Sequence, residues 1–365
     1  MSVSAINLCA ECGAPDQLIN NHIWQNSGVI VFTRDETQRE ILVESENLDP
    51  LFQGIAEVIG LPIERQVIDV CRRSTRNLVR ELVPQVVREL FTREDVDLEP
   101  VIFGITDIMF TASQLVGFGK FEHITHHYEP GGDNYFVNHC MHPYSLLLNR
   151  GNLAGTVEGV YDCEAGVESR EIEPGVYELT ASFSSHCEEL EERLKLRPYV
   201  HRNGDVELER CLTCGGPAAL SSFRWDLEEG VITNESTGRR ITVMSPDVLE
   251  AVFDELEAEL GDTIPRAVVE AQRRFIKSGG YSIDEISDEG DFRTQLAVRG
   301  YGNLRGIYLG RDGLNLSIDN AAAPLMIVGL AQGLFEIALD VESDAEWEIS
   351  EEGDLEVKIT PKGIT

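Results

Sequence analysis

The strongest constraint on how this chain can fold is that it repeats itself. Cys9-Ala10-Glu11-Cys12-Gly13-Ala14-Pro15 recurs as Cys211-Leu212-Thr213-Cys214-Gly215-Gly216-Pro217. Trp24 then matches Trp225, Gly28-Val29-Ile30 matches Gly230-Val231-Ile232, and Ile41-Leu42-Val43 matches Ile241-Thr242-Val243. Leu51-Phe52 aligns with Val252-Phe253, Gly60 with Gly261, Arg72-Arg73 with Arg273-Arg274, and Gly117-Phe118-Gly119 with Gly300-Tyr301-Gly302. Gly151-x-x-x-Gly155-x-x-Glu158 and Gly329-x-x-x-Gly333-x-x-Glu336 fall near the end of each half. Matches in one unbroken order imply two copies of one unit. The copies are expected over 1–195 and 205–365, joined near the charged run Glu188 to Arg193.

Each half reads as α+β, with an N-terminal Cys-x-x-Cys knuckle and an antiparallel sheet packed with helices. Short Val- and Ile-rich strands follow the knuckle. Helical regions are expected over 49–91, broken by Pro62 and Pro84, and over 245–278. Strands near 118–124 and 296–309 come next, then a helix over 144–160 or 322–339. A closing hairpin turns at Glu173-Pro174-Gly175 or Glu351-Glu352-Gly353. The apolar stretch Ala321 to Leu339 contains Gln332 and Glu336, so it reads as a buried helix and not as a membrane span.

Charge narrows the environment. There are 64 acidic against 30 basic residues, a formal net charge of -34. The lysines are Lys120, Lys195, Lys277, Lys358 and Lys362; the other basic residues are all arginine. Such a surface suits a protein working in concentrated salt, where self-repulsion is screened. An ordinary acidic protein in dilute cytoplasm is the alternative. Either way, general binding to nucleic-acid phosphates or anionic membranes is disfavoured. Met1 to Ala14 has neither a basic nor an apolar leader segment, so a cytoplasmic location is expected. There the eight cysteines read as thiols or metal ligands before disulfides.

The end of each half resembles the vinyl-reductase-type domain, also called the hydrocarbon-binding domain, which is related to heme-NO-binding and TRAPP-subunit-like folds. The residues that carry the resemblance are Asn320-Ala321-Ala322-Ala323, Gly329, Gly333, Glu336, Glu346 and Gly353-Asp354. In the first half they are Gly151, Gly155, Glu158, Glu168 and Gly175. The resemblance implies a pocket between helix and sheet for a small, largely apolar or cofactor-like ligand, usually in a sensing role. That family ends in a Glu-x-x-Cys and a second Cys that bind zinc. The matching positions here are near Glu171 and Ile349, and neither hairpin contains cysteine.

Two thiolates spaced Cys-x-x-Cys can reach one ion from a tight turn, and the glycine after the second Cys relieves that turn. Each knuckle supplies only two ligands. The economical reading is one structural zinc held by Cys9, Cys12, Cys211 and Cys214, clamping the halves about a pseudo-twofold axis. Separate sites, the first completed by His22, are an alternative, although His22 aligns with Phe223. Unmetallated thiols are another. A redox pair lacks a thioredoxin-like context, and a c-type heme would need His where Gly13 and Gly215 stand.

The halves differ most in soft ligands. The first half carries His123, His126, His127 and His139-Cys140-Met141-His142, and also Cys163, His186 and Cys187. The second has Leu309, Asp319 and Asn320 in the corresponding region. His126, His127, His139, Cys140 and His142 are therefore the candidate site for a second metal or a heme. Catalysis by a Cys–His pair is a further option, and loop histidines with no special role are the plain one.

Three functions follow. The first is a sensor-type protein that binds metal and a small ligand and passes its output to a protein partner. The second is a metal-dependent enzyme using His139, Cys140 and His142. The third is a zinc-clamped structural or assembly protein.

Overall fold

Valine- and isoleucine-rich stretches bounded by turn glycines become strands, and among the described residues every strand pairing is antiparallel. The computed structural model of the chain describes residues 6–93, 95–129, 132–184, 199, 201–280 and 289–363. The expected junction at Glu188 to Arg193 lies outside the described residues, as do His186 and Cys187.

The first half contains α1 (Asp16–Asn21), β1 (His22–Trp24), β2 (Ile30–Phe32), β3 (Asp35–Glu44), α2 (Leu48–Ile59), α3 (Glu64–Leu82) and α4 (Gln85–Arg88). It continues with α5 (Glu99–Leu115), β4 (Lys120–His127), β5 (Tyr135–Met141), α6 (Leu146–Tyr161), β6 (Glu164–Glu173) and β7 (Val176–Ser184). The second half contains β8 (Phe223–Asp226), β9 (Val231–Asn234), β10 (Arg240–Met244), α7 (Pro246–Leu260), α8 (Ile264–Phe275) and α9 (Glu289–Val298). It ends with β11 (Asn303–Gly310), β12 (Gly313–Asp319), α10 (Pro324–Leu339), β13 (Ser343–Ile349) and β14 (Leu355–Pro361). The class is α+β, as expected.

Two four-stranded sheets have the same order, β4-β5-β7-β6 and β11-β12-β14-β13. A third sheet takes three strands from each half, in the order β1-β2-β3-β10-β9-β8. Its centre is two-fold symmetric. Glu44 pairs with Ile241 and Ile41 with Met244, while Val43 pairs with Thr242 and Leu42 with Val243. With 41–44 aligned to 241–244, the partner of Ile41 aligns with Glu44 and the partner of Glu44 aligns with Ile41, which is how an isologous contact reads.

The halves also exchange partners. The Gly302 amide donates to the Gly28 carbonyl at 3.0 Å, and the Gly119 amide donates to the Gly230 carbonyl at 3.0 Å. Leu42 N–H donates to Arg299 O, and Val243 N–H donates to Val116 O. Helix α2 packs on α8, and α7 packs on α3. The N-terminal strands and helix of each half thus dock on the C-terminal part of the other.

Within each half a glycine face brings two helices together. A Cβ on Gly155 would meet Arg72 O at 2.3 Å, and one on Gly333 would meet the Ile276 Cβ at 2.7 Å. Helix α6 therefore lies directly on α3, and α10 on α8. The glutamate that closes each motif is buried. Glu158 accepts from Arg72 Nη1 at 2.9 Å and the Ala165 amide at 3.0 Å. Glu336 accepts from Arg273 Nη1 at 2.6 Å, Lys277 Nζ at 2.7 Å and the Ser343 amide at 2.9 Å.

Pro62 and Pro84 fall between helices, and Gly60 ends α2 with a left-handed backbone at φ 74°. Helices α1, α5 and α9 went unforeseen. Helix α5 is rich in β-branched residues (Val101, Ile102, Ile105, Thr106, Ile108), which lower helix propensity and blur the pattern. The strand expected from residue 296 starts at Asn303, because Leu296 to Val298 close α9 and Gly300 and Gly302 turn the chain. Helix α10 is largely buried, and no helix among the described residues is long and apolar enough to cross a membrane.

Candidate metal centre

Each Cys-x-x-Cys folds into a tight turn at the edge of the shared core. Gly13 N–H donates to Cys9 O at 2.9 Å, and Cys9 N–H to Ala14 O at 2.9 Å. At the second Cys-x-x-Cys, Gly215 N–H donates to Cys211 O at 2.9 Å, and Cys211 N–H to Gly216 O at 2.8 Å. Gly13 and Gly215 hold φ of 72° and 75°, a left-handed backbone that suits only glycine without strain.

The two turns face each other. Cys9 Sγ lies 3.7 Å from Cys211 Sγ, and Cys12 Sγ lies 3.5 Å from Cys214 Sγ. All four sulfurs fall within 4.8 Å of one another, a group that could hold a metal ion. Sulfurs at about 2.3 Å from a tetrahedral zinc are about 3.8 Å apart along each edge, so the two close pairs match that tetrahedron. Both pairs join residues 202 apart in the chain, and each cysteine faces the one at the same position of the other Cys-x-x-Cys. The twofold relation of the β3–β10 pair therefore continues through the sulfurs.

The surroundings favour thiolate on one side and disfavour it on the other. Backbone hydrogen bonds from Cys12 and Glu11 hold the Cys9 thiol down to about 7, whereas burial pushes Cys12 up to about 12. A divalent cation would supply the charge that lets buried thiols ionise. Cys12 and Cys211 are buried among Ala14, Leu18, Trp24, Leu220 and Trp225. Glu11 spans the two turns, accepting from the Thr213 hydroxyl at 2.7 Å, the Thr213 amide at 3.1 Å and the Cys211 thiol at 3.3 Å. His22 stands apart from this group: its Nδ1 meets Leu18 O at 2.8 Å and its ring lies against Phe32.

The histidines of the first half divide between two faces of the β4–β5 pair. His127 and His139 lie on one side, near Glu129 at 4.0 Å and Glu178 at 3.9 Å. Cys140 is buried on the opposite side from its neighbour His139, as strand alternation requires. Its Sγ is 3.5 Å from Asn149 Nδ2, and burial pushes its thiol up to about 12. His142 sits in the turn after β5 at φ 54°, with Nε2 3.4 Å from Glu229. His139, Cys140 and His142 therefore point in three directions. His126 instead meets His123: His123 Nε2 and His126 Nδ1 are 2.9 Å apart. Among the described residues, the four cysteines are the group of three or more ligand side chains placed to hold a metal.

A cavity of about 680 Å³ lies where Glu44 and Asn47 of the first half meet α8, α9 and α10 of the second. Phe292, Leu296, Met326, Ile327, Leu330 and Leu334 give it an apolar wall. Its polar side includes Asn47 and Gln272, both buried and joined by an Asn47 Nδ2 to Gln272 Oε1 hydrogen bond of 2.8 Å. Sequence reading did not find these two residues. They lie 225 positions apart and come together through the exchange between halves, which leaves no local signal.

Comparison with protein-family models and with curated proteins gave no match. Among solved structures, part of the chain is similar to a T. Tengcongensis H-NOX protein, with TM-score 0.24, 16% identity, and coverage of 33% of this chain and 75% of that chain. A Cs H-NOX variant overlaps with the same TM-score of 0.24 and 16% identity, covering 33% of this chain and 75% of its own. An overlap this small assigns neither a fold family nor a ligand to this chain.

Proposed function

We propose that this chain is a metal-binding, small-ligand-binding protein of sensor type. In this reading one zinc ion, held by Cys9, Cys12, Cys211 and Cys214, clamps two tandem copies of one unit, 1–195 and 205–365. The observation that carries it is the convergence of four sulfurs from two turns 202 residues apart. The zinc is structural, because four thiolates fill a tetrahedral shell and leave no open position for substrate. The ligand would occupy the cavity beside α10, with its apolar body against Met326, Ile327 and Leu330 and a hydrogen-bonding group toward Asn47 and Gln272. An anionic ligand fits poorly, since the chain carries a net charge of -34 and would repel it. The protein acts in the cytoplasm and passes its signal to a protein partner.

Two measurements test the reading. Zinc removal by a chelator should unfold the shared sheet, seen as a large drop in melting temperature that added zinc restores. A panel of neutral apolar molecules should raise the melting temperature of the zinc-loaded chain, and Leu330→Trp, which fills the cavity, should abolish the rise. An unchanged melt after chelation rejects the clamp. Stabilisation that survives Leu330→Trp rejects the cavity as the ligand site.

A further inference from the structure

Strand alternation would put His123 and His126 on opposite faces of β4, since they are three residues apart. A bulge prevents this. The register between β4 and β5 shifts between His123 and Thr125, so Ile124 drops out of the pairing and is exposed. His123 then opposes Asn138 and His126 opposes Phe136, and both of those partners are buried. A bulge re-aims side chains in this way beside many functional sites. Both imidazoles thus reach the side of the sheet that α5 covers, where Phe103 of α5 stands perpendicular to each ring.

Each outer nitrogen of the pair faces an oxygen. His123 Nδ1 lies 3.1 Å from Asn138 Oδ1, and His126 Nε2 lies 3.5 Å from Glu99 Oε1. If both outer nitrogens carry the proton, both inner nitrogens, His123 Nε2 and His126 Nδ1, present lone pairs 2.9 Å apart. Facing lone pairs repel unless something positive lies between them. Two imidazole nitrogens bound at about 2.0–2.1 Å and about 90° apart on one metal are about 2.9 Å from each other. A metal-bound histidine characteristically donates its other N–H to a carboxylate or carbonyl, as Asn138 and Glu99 permit here.

We propose that His123 and His126 form a second metal site, one that binds a divalent late first-row transition ion through two adjacent imidazoles. Imidazole ligands select nickel, copper and zinc over magnesium or calcium. Two protein ligands leave coordination positions for water or for an exogenous oxygen or nitrogen donor. Glu99 is exposed at the rim, and the acidic surface draws cations toward it. The second half cannot form this site, because Leu309 aligns with His126 and Gly306 with His123. The site does not depend on the four-cysteine reading, as none of its atoms belongs to that group.

The test uses the full chain with its thiols first saturated with zinc, then titrated with nickel(II) alone. One further metal should bind per chain. His123→Ala and His126→Ala should each weaken it by at least about tenfold, and Glu99→Gln and Asn138→Ala by about tenfold or more. His127→Ala and His139→Ala should leave it unchanged. In case an alanine variant does not fold, X-ray absorption at the nickel edge of the wild-type chain decides independently, with two imidazoles and oxygen donors expected. No nickel binding, equal binding by His126→Ala, or a shell with one imidazole or with sulfur would overturn the proposal and leave a metal-free hydrogen-bonded pair.

Discussion

Replacing Gly28 by alanine places a methyl group 2.3 Å from the carbonyl oxygen of Gly302 and 2.4 Å from its carbonyl carbon. In the other half, alanine at Gly230 meets Gly119 O at 2.2 Å. These are backbone atoms on hydrogen-bonded segments, so they cannot swing aside. Overpacking of this kind costs about 1–3 kcal/mol. The left-handed backbone adds about 1–2 kcal/mol, since φ is 76° at Gly28 and 61° at Gly230. The expected loss is therefore about 2–5 kcal/mol at either site. Gly60 and Gly238 isolate the packing contribution. Their φ values are 74° and 71°, yet a Cβ at either meets nothing within 4 Å. Alanine there should cost only about 1–2 kcal/mol. Urea unfolding of the zinc-loaded chain in high salt, read as midpoint shifts at constant slope, measures all four. Gly28→Ala and Gly230→Ala should fall together and clearly below the two controls. If either costs no more than Gly60→Ala, the exchanged docking of the halves is wrong.

Two further outcomes follow. Cys9→Ser and Cys211→Ser should destabilise by similar amounts, and the double variant should cost much less than their sum, because either change already breaks the one shell; additive losses in a double-mutant cycle would indicate two independent sites. The equivalent glutamates should respond to pH with opposite signs. Burial tends to raise the Glu336 carboxyl, but Lys277, Ser343 and Arg273 outweigh it and hold the group below its usual value. Its stabilising contribution is present above the unfolded value and is lost as pH falls through the lowered one, so Glu336→Gln should cost more at pH 7 than at pH 4. Burial dominates at Glu158 and raises its carboxyl despite the Ala165 amide and the Arg72 and Arg76 guanidiniums. Its protonated form is favoured by folding, so Glu158→Gln should cost less at pH 7 than at pH 4. Equilibrium unfolding at both pH values checks the pair, and equal trends would refute the assignment.

The sequence was most legible where one residue type solves one backbone problem. The glycine after each Cys-x-x-Cys marked a turn, and the structure uses it so, while the glycines of the α6 and α10 motifs let each helix lie close on its neighbour. The repeat itself foretold which cysteines could face each other. Contacts that depend on the exchange were not legible. Nothing local in the sequence tells that Gly28 docks on Gly302 rather than on Gly119, or that Asn47 meets Gln272. The histidine region illustrates a finer limit. Proximity in sequence favoured His139, Cys140 and His142, but strand alternation and the His142 turn separate them. A bulge at Ile124, which composition does not mark, is what joins His123 to His126.

The central claim is that one ion ties the two halves through four sulfurs. Zinc-edge X-ray absorption combined with metal stoichiometry on the purified chain tests it most directly. The account predicts one tightly held zinc per chain with four sulfur neighbours at about 2.3 Å. Two zinc ions, each with two sulfurs and two nitrogen or oxygen neighbours, or a chain that binds no zinc under reducing conditions, would contradict it.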